Sequence, residues 1–383
     1  MKKIAWFGTH PIQYHSPMFT YISKEKTIAQ TVYYFSDFSI KGYQDKEFGK
    51  EIKWDIPLLE GYKSKILKNY TKKEHGSFFS YINLDIYKEI KSNNYDLVIA
   101  HGWNTFSHIL LFISCILTST PYALRGDTNA LGESERRGFK QRLRRIFLKT
   151  LFKKSSAVFY IGVQNKKFYQ YYSVSEQKLY KMPFAVNNDY FRQYKSKIDI
   201  DKEKKKYNIS NDETVILYSG KLIALKQIDI LIKALAKTTS KYTLLIVGDG
   251  EERQVLEDLS LQLNVNSNFL GFVNQNEIPK YYWLSDIFVM SSHQEAWGLS
   301  INEAMCCECA VIVSDSVGAK DDLVKKNGFV FKTGDVNDLA AKLNVLMSDS
   351  KLLEQCKRNS LNIIKDYSYE KDYEAIKKIL SLK

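Results

Sequence analysis

From residue 215 to residue 313, short apolar runs and segments of helical period take turns without a break. The runs at 215–218, 244–247, 268–272, 287–290 and 310–313 are short and mostly apolar, and none alternates cleanly between apolar and polar residues. A strand that is apolar on both faces has to be covered on both, and a parallel sheet flanked by helices achieves this. The intervening segments supply the helices: Ile228, Leu231, Ile232 and Leu235 mark one buried face, and further helices are expected over 253–263, 276–284 and 300–307. Strand and helix in strict turn make βαβ units, so the expected architecture is α/β and doubly wound.

The first half keeps a similar rhythm, with strands expected at 4–7, 32–35 and 97–100 and helices at 81–91 and 105–117. Another helix starts at Pro17, where Ser16 offers a side-chain cap. A chain of 383 residues exceeds what one core usually supports. Two Rossmann-like halves are therefore expected, at 1–195 and 205–365, separated by a Lys- and Asp-rich linker over 196–211. Ligands of open α/β sheets bind beyond the carboxyl ends of the strands, so the halves should face each other across a cleft. No apolar run approaches the roughly 18–20 residues of a membrane span. After Lys2 and Lys3 the chain reaches polar Thr9 and His10 too soon for a signal peptide, which places it in the cytoplasm. The five cysteines, three of them crowded at Cys306, Cys307 and Cys309, are odd in number, have no histidine near them at zinc spacing and read as buried thiols, so no metal is expected.

Charge is unevenly distributed. The net +13 resolves into +15 over residues 1–195 and −2 over the remainder, so the cationic excess lies entirely in the first half. Its densest part, 136–154, holds nine basic residues from Arg136 to Lys154 and no acid. Phe139, Leu143, Ile146, Phe147, Thr150 and Leu151 recur through it at helical spacing. A basic amphipathic helix of this kind suits an anionic lipid surface or an anionic acceptor. A core-packed helix with a solvated basic face is the competing reading. Nucleic acid is the weakest of the three, since no helix-turn-helix, zinc-finger or RNP pattern accompanies the charge.

Two constellations carry chemistry. At the end of the first strand of the second half, Gly220 permits a tight turn, and Lys221 and Lys226 bracket the loop into the next helix. Paired cations there would neutralise a departing diphosphate without a metal. Further on, Glu295 and Glu303 flank a strand-to-helix turn, and Gly298, Leu299 and Ser300 offer backbone amides at the helix start. Carboxylates on either side of such a site can accept hydrogen bonds from sugar hydroxyls.

The run 220–324 resembles the nucleotide-sugar half of the retaining glycosyltransferases of family 4, which have the GT-B fold. The resemblance rests on Gly220-Lys221 with Lys226, on the Val-Gly-Asp-Gly-Glu sequence at 247–251, on Phe-Leu-Gly-Phe-Val at 269–273, and on Glu295 and Glu303 leading into Ala304-Met305. It implies a last segment, 366–383, that crosses back onto the first domain. It implies that Lys221 and Lys226 grip the donor diphosphate, that Glu295 orients the donor sugar and Glu303 the ribose, with Val273 completing the donor site. His101, at the end of a strand in the first half, is similarly assigned to the donor sugar. Lys221 stands where the family usually carries Arg. The loop 8–15 replaces a glycine-rich loop; Gly8 and Thr9 are expected near the phosphates and His10 near the acceptor, while Arg125 and Asp127, after a further strand, read either as acceptor ligands or as a structural ion pair.

The function so expected is transfer of a sugar from a nucleoside diphosphate sugar to a hydroxyl acceptor, a lipid-linked or surface glycan in a bacterium, with retention and with no cofactor or metal. Association with the inner face of the cytoplasmic membrane would come through 136–154. The alternatives are a nucleotide-sugar epimerase or hydrolase of the same fold, and a basic protein that binds membrane or nucleic acid without catalysis.

Overall fold

The computed structural model describes residues 1–45, 49–71, 73, 76–131, 133 and 138–382. The strands in chain order are β1 (Lys2–Gly8), β2 (Ile28–Tyr34), β3 (Tyr43–Asp45), β4 (Lys50–Ile52), β5 (Ser64–Ile66), β6 (Leu97–His101), β7 (Tyr122–Arg125), β8 (Ala157–Tyr160) and β9 (Leu179–Lys181). They continue with β10 (Thr214–Ser219), β11 (Tyr242–Val247), β12 (Ser267–Gly271), β13 (Ile287–Met290), β14 (Ala310–Ser314) and β15 (Gly328–Phe331). They form two parallel sheets, one of seven strands in the order β5-β2-β1-β6-β7-β8-β9 and one of six in the order β12-β11-β10-β13-β14-β15, with β3 and β4 as a separate pair. Each sheet centres a Rossmann-like unit.

The first unit comprises residues 1–43, 56–184 and the C-terminal residues from 369. Its central strand shows why the sheet is buried on both sides. Ile4 and Trp6 pack with Phe19, Ile22 and Ile376 on one face, while Ala5 and Phe7 pack with Val98, Phe112 and Phe152 on the other. Each large apolar side chain fully buried in this way contributes about 1.5–3 kcal/mol. The C-terminal helix Tyr369–Ile379 belongs to this unit because Tyr373, Ala375 and Ile376 complete the first of those faces. The second unit comprises 44–55 and 185–368.

The division thus falls at Phe184/Ala185 and not within 196–211, which instead holds the short helix Ile200–Lys206. Specific polar anchors explain the shift. Asn188 Nδ2 donates to the carbonyls of Ile364 at 3.3 Å and Tyr367 at 3.1 Å, and the Trp283 indole donates to the Phe191 carbonyl at 2.8 Å. Ser16 is not a cap: the helix is His15–Lys24, and the Ser16 hydroxyl donates to the Ile12 carbonyl at 3.1 Å and the Leu58 carbonyl at 2.7 Å. The helix expected over 81–91 is Ile86–Asn93, and β8, β9 and β15 are strands beyond those expected, β9 and β15 being sheet edges that are only partly buried. Among the described residues no helix is long and apolar enough to cross a membrane. All five cysteines are buried and free, and burial pushes the thiols up.

Candidate active site

In the second unit, the loops after β10, β11 and β12 pack backbone against backbone. Gly220 N–H donates to the Val247 carbonyl at 3.0 Å, Leu222 N–H to the Asp249 carbonyl at 2.9 Å, and Gly248 N–H to the Gly271 carbonyl at 2.8 Å. A Cβ on Gly248, at φ +141°, would stand 1.8 Å from the Gly220 carbonyl oxygen. Three glycine-bearing motifs that are separate in sequence are therefore one structural feature. The Tyr218 hydroxyl, kept un-ionised by burial and then by Glu295, donates to the Lys221 carbonyl at 2.8 Å and fixes the loop from below.

β10 and β13 are neighbours in the sheet, and their exit loops are stitched together. Ser291 Oγ donates to the Lys226 carbonyl and His293 N–H to the Leu225 carbonyl, both at 2.8 Å. The loop after β14 holds Glu295 from the other side, through Gly318 N–H to the Glu295 carbonyl at 2.9 Å. The outcome is a direct ion pair between Lys226 Nζ and Glu295 Oε2, each side chain 20% exposed. Gly298 follows at φ +95° as the N-cap of the helix Leu299–Cys306, and no side chain caps that helix start. Leu299 and Ser300 remain partly accessible there.

Lys221 is engaged differently. Its Nζ lies 3.0 and 3.2 Å from the two carboxylate oxygens of Asp45, in the short sheet β3–β4. That segment is held on the second unit by Asn274, whose Nδ2 donates to the Lys53 carbonyl at 2.7 Å, and by Asn276, whose Nδ2 donates to the Asp55 carbonyl at 3.0 Å. Val273 occupies the same loop and is half-buried. Glu303 is buried within its helix, and its Oε2 accepts the Tyr282 hydroxyl at 2.7 Å. Sequence reasoning missed Asp45, because nothing local ties an acid in a three-residue strand to a lysine so far along the chain.

The first unit contains a cavity of about 640 Å³ at the carboxyl ends of its strands. Gly8, Thr9, His10, His101, Arg125 and Asp127 all line it, together with His15, Phe184 and Arg144. The loop after β1 is tied to β2, with Phe35 N–H donating to the Gly8 carbonyl at 3.0 Å and Ser36 N–H to the Thr9 carbonyl at 2.9 Å. His10 Nδ1 lies 3.0 Å from Thr9 Oγ1, and its ring packs on Phe38. The His101 ring packs on Trp6 and, at 4.4 Å between centroids, on His15. His101 Nε2 is buried without a hydrogen-bond partner. Burial, then His15, Arg125 and His108, hold the His101 imidazole well below its ordinary value; burial, then Arg125 and His10, do the same to His15. Both rings are therefore neutral at pH 7. His15 lay in the loop already singled out, five residues after His10, and only the fold set it against His101.

Arg125, 2% exposed, sits at the end of β7. Its Nη2 donates to the Pro183 carbonyl at 3.1 Å and lies 3.7 Å from Asp372, which is 1% exposed on the C-terminal helix. The guanidinium also stands over the Phe184 ring at 5.2 Å. Burial pushes the Asp372 carboxyl up to about 7, against the pull of Arg125.

Two Rossmann-like units of this kind, with the C-terminal helix returned to the first, define the GT-B fold of glycosyltransferases. Residues 199–362 match the sequence profile of the family described as "Glycosyl transferases group 1". Over 169 residues the chain is 33% identical to an uncharacterized glycosyltransferase of Methanocaldococcus jannaschii, spanning 42% of this chain and 43% of that one. Over 190 residues it is 30% identical to the capsular polysaccharide biosynthesis glycosyltransferase CapM of Staphylococcus aureus, spanning 48% and 50%. The chain thus spans about half the length of these curated relatives. A longer alignment, 24% identical over 71% of this chain and 73% of the other, reaches the N,N'-diacetylbacillosaminyl-diphospho-undecaprenol alpha-1,3-N-acetylgalactosaminyltransferase of Campylobacter jejuni. Among solved structures, Anabaena HepE in complex with UDP and glucose superposes with a TM-score of 0.74 at 19% identity, covering 100% of both chains.

Proposed function

We propose that this chain is a glycosyltransferase that moves a sugar from a nucleoside diphosphate onto a hydroxyl acceptor, with retention at the anomeric carbon. The observation that carries the reading is the Lys226–Glu295 pair at the carboxyl ends of adjacent parallel strands, next to an uncapped helix start. A cation and free amides suit a diphosphate, and a carboxylate beside them suits the hydroxyls of the attached sugar. In this reading Lys226, Lys221 and the amides of 298–300 bind the diphosphate, with Gly220 turning the loop that carries Lys221. Glu295 holds the sugar, and Val273 and Glu303 serve the nucleoside.

As the bond from the anomeric carbon to the diphosphate oxygen breaks, positive charge spreads over the sugar ring and negative charge over the leaving group. The lysines and amides stabilise the latter, so no metal is required for this step. The acceptor oxygen bonds to the anomeric carbon on the face the diphosphate leaves, and its proton passes to the departing diphosphate oxygen. His10, Arg125 and Asp127 in the cavity of the first unit take the acceptor, a lipid-linked or surface glycan. The capsular and undecaprenol-linked specificities named for two relatives support that class.

The test pairs binding with turnover. A panel of nucleoside diphosphates and their sugars is screened by melting shift, and transfer is then followed with the sugar that binds. Lys226→Ala is expected to abolish the nucleotide shift. Glu295→Gln should retain the shift while transfer falls about 10²–10³-fold, the usual cost of one preorganised electrostatic contact. Near-wild-type transfer in both variants would overturn the assignment. Nucleoside diphosphate released equally fast without any acceptor would point to a hydrolase instead.

A further inference from the structure

The helix Phe139–Lys154 carries two apolar stripes, and the fold uses one of them. Leu148, Leu151 and Phe152 are buried in the core of the first unit. Phe139, Leu143 and Ile146 are 74%, 53% and 63% exposed, and Phe147 beside them is 38% exposed. At about 100° per residue these four side chains share roughly a third of the helix circumference. Arg142, Arg145, Lys149 and Lys153 border the stripe on one side and Lys140 on the other, and the helix contains no acid. The sequence pattern is met by a core-packed helix as well, but of that expected face the core here takes only Leu151, together with Leu148 and Phe152. Four large apolar side chains bordered by cations are left facing solvent, a combination that marks an interaction surface.

The same helix reaches the cavity. Arg144, next to Leu143, points about 100° away from it and lines the cavity wall, where its guanidinium pairs with Glu133 and donates to the Tyr172 hydroxyl at 2.8 Å. A helix with its side chains is only about 10–12 Å across, so the exposed stripe and the cavity wall are two sides of one short rigid rod.

We infer that the stripe Phe139, Leu143, Ile146 and Phe147 inserts into the interface of an anionic bilayer, and that the cavity of the first unit takes its acceptor from that lipid surface. The cations meet the lipid phosphates while the apolar side chains enter the acyl boundary, the division of labour of an interfacial helix. The acceptor is accordingly an amphiphile whose hydroxyl-bearing headgroup enters the cavity while its hydrocarbon part stays in the bilayer. The word acceptor rests on the transferase reading; the membrane contact does not.

The experiment uses the full chain and vesicles of phosphatidylcholine with or without phosphatidylglycerol, read by co-sedimentation, with the nucleotide melting shift measured on every variant. The wild type is expected to sediment with the anionic vesicles. Neutralising Arg142, Arg145 and Lys149 to Gln should weaken binding on the order of 100-fold. The variant Phe139→Ser, Leu143→Ser, Ile146→Ser keeps every charge and should still weaken it at least about tenfold. Both variants should keep the wild-type melting temperature and nucleotide shift, since the altered side chains are solvent-facing. Failure of the wild type to bind anionic vesicles overturns the proposal, as does wild-type binding by the serine variant. A dimer that the serine variant dissociates, or retention of duplex DNA without vesicle binding, also overturns it. A missing nucleotide shift in the wild type, with vesicle binding intact, would instead strike the transferase reading alone.

Discussion

Replacing Gly248 by Ala adds one methyl group to a loop with no room for it. The new Cβ would lie 1.8 Å from the Gly220 carbonyl oxygen and 2.9 Å from its carbonyl carbon, at a backbone φ of +141°. Neither neighbour is a side chain that can rotate aside, so one backbone has to move and the hydrogen bonds Gly248–Gly271 and Gly220–Val247 are strained with it. The conformation alone costs about 1–3 kcal/mol in a residue with a Cβ. Displacing packed backbone brings the total to at least about 4 kcal/mol, the range reserved for such special sites. For a unit of this size each kcal/mol lowers Tm by about 2–4 °C, so a fall of roughly 8–16 °C is expected. Gly334→Ala is the matched control: φ is +76°, and the nearest atom to a Cβ is Gln227 Nε2 at 3.9 Å. It should cost only the left-handed backbone penalty of about 1–2 kcal/mol. Gly298→Ala falls between them, because its Cβ meets the Met290 sulfur at 2.7 Å and a thioether can swing away. The assay is thermal unfolding with and without nucleoside diphosphate, and Gly248→Ala should also shrink the nucleotide shift by moving the Lys221 loop. If Gly248→Ala unfolds no earlier than Gly334→Ala, the packing of these loops does not govern the motif.

Asp45→Asn releases Lys221 from its carboxylate partner, and nucleoside diphosphate affinity should rise by up to about fivefold, the worth of a partly exposed pair; titration calorimetry at fixed salt checks this, and weaker binding would show that Asp45 helps to form the site. His108 is fully buried, and burial lowers it to about 4. The unfolded chain then binds a proton that the folded chain refuses. The stability this group contributes is whole above about pH 6.5 and is lost as pH falls, by about 2 kcal/mol at pH 5. His108→Gln should flatten that part of the stability–pH curve, and an unchanged slope would refute it. His101 and His15 are held neutral in the same way, so transfer should show no inflection near pH 6.5 from either ring; an inflection there that His101→Gln abolishes would count against their neutrality.

Much of the fold was legible because parallel sheets leave a plain trace: strands covered on both faces must be apolar throughout, and the helices between them show their own period. That trace located β10 to β14 closely and failed for β8 and for the edge strands β9 and β15, which are only partly buried and so are not required to be apolar throughout. The paired catalytic candidates Lys226 and Glu295 were legible as residues, since a loop after each of two parallel strands is where such a fold binds ligands. Their direct contact was not, because it depends on β13 lying beside β10 although β11 and β12 come between them in sequence.

The sequence by itself determined the local matters: which segments become strand or helix, where glycine is required for the backbone to turn, and that the cationic excess sits in the first half. The tertiary structure alone decided the partners. It set Asp45 on Lys221, Tyr282 on Glu303, Asp372 beside Arg125 and His15 against His101. It also decided which apolar stripe of the helix Phe139–Lys154 the core would take. Helical and strand periods are set by neighbours within a few residues, whereas partnership and exposure depend on what the rest of the chain brings alongside, which no local pattern encodes.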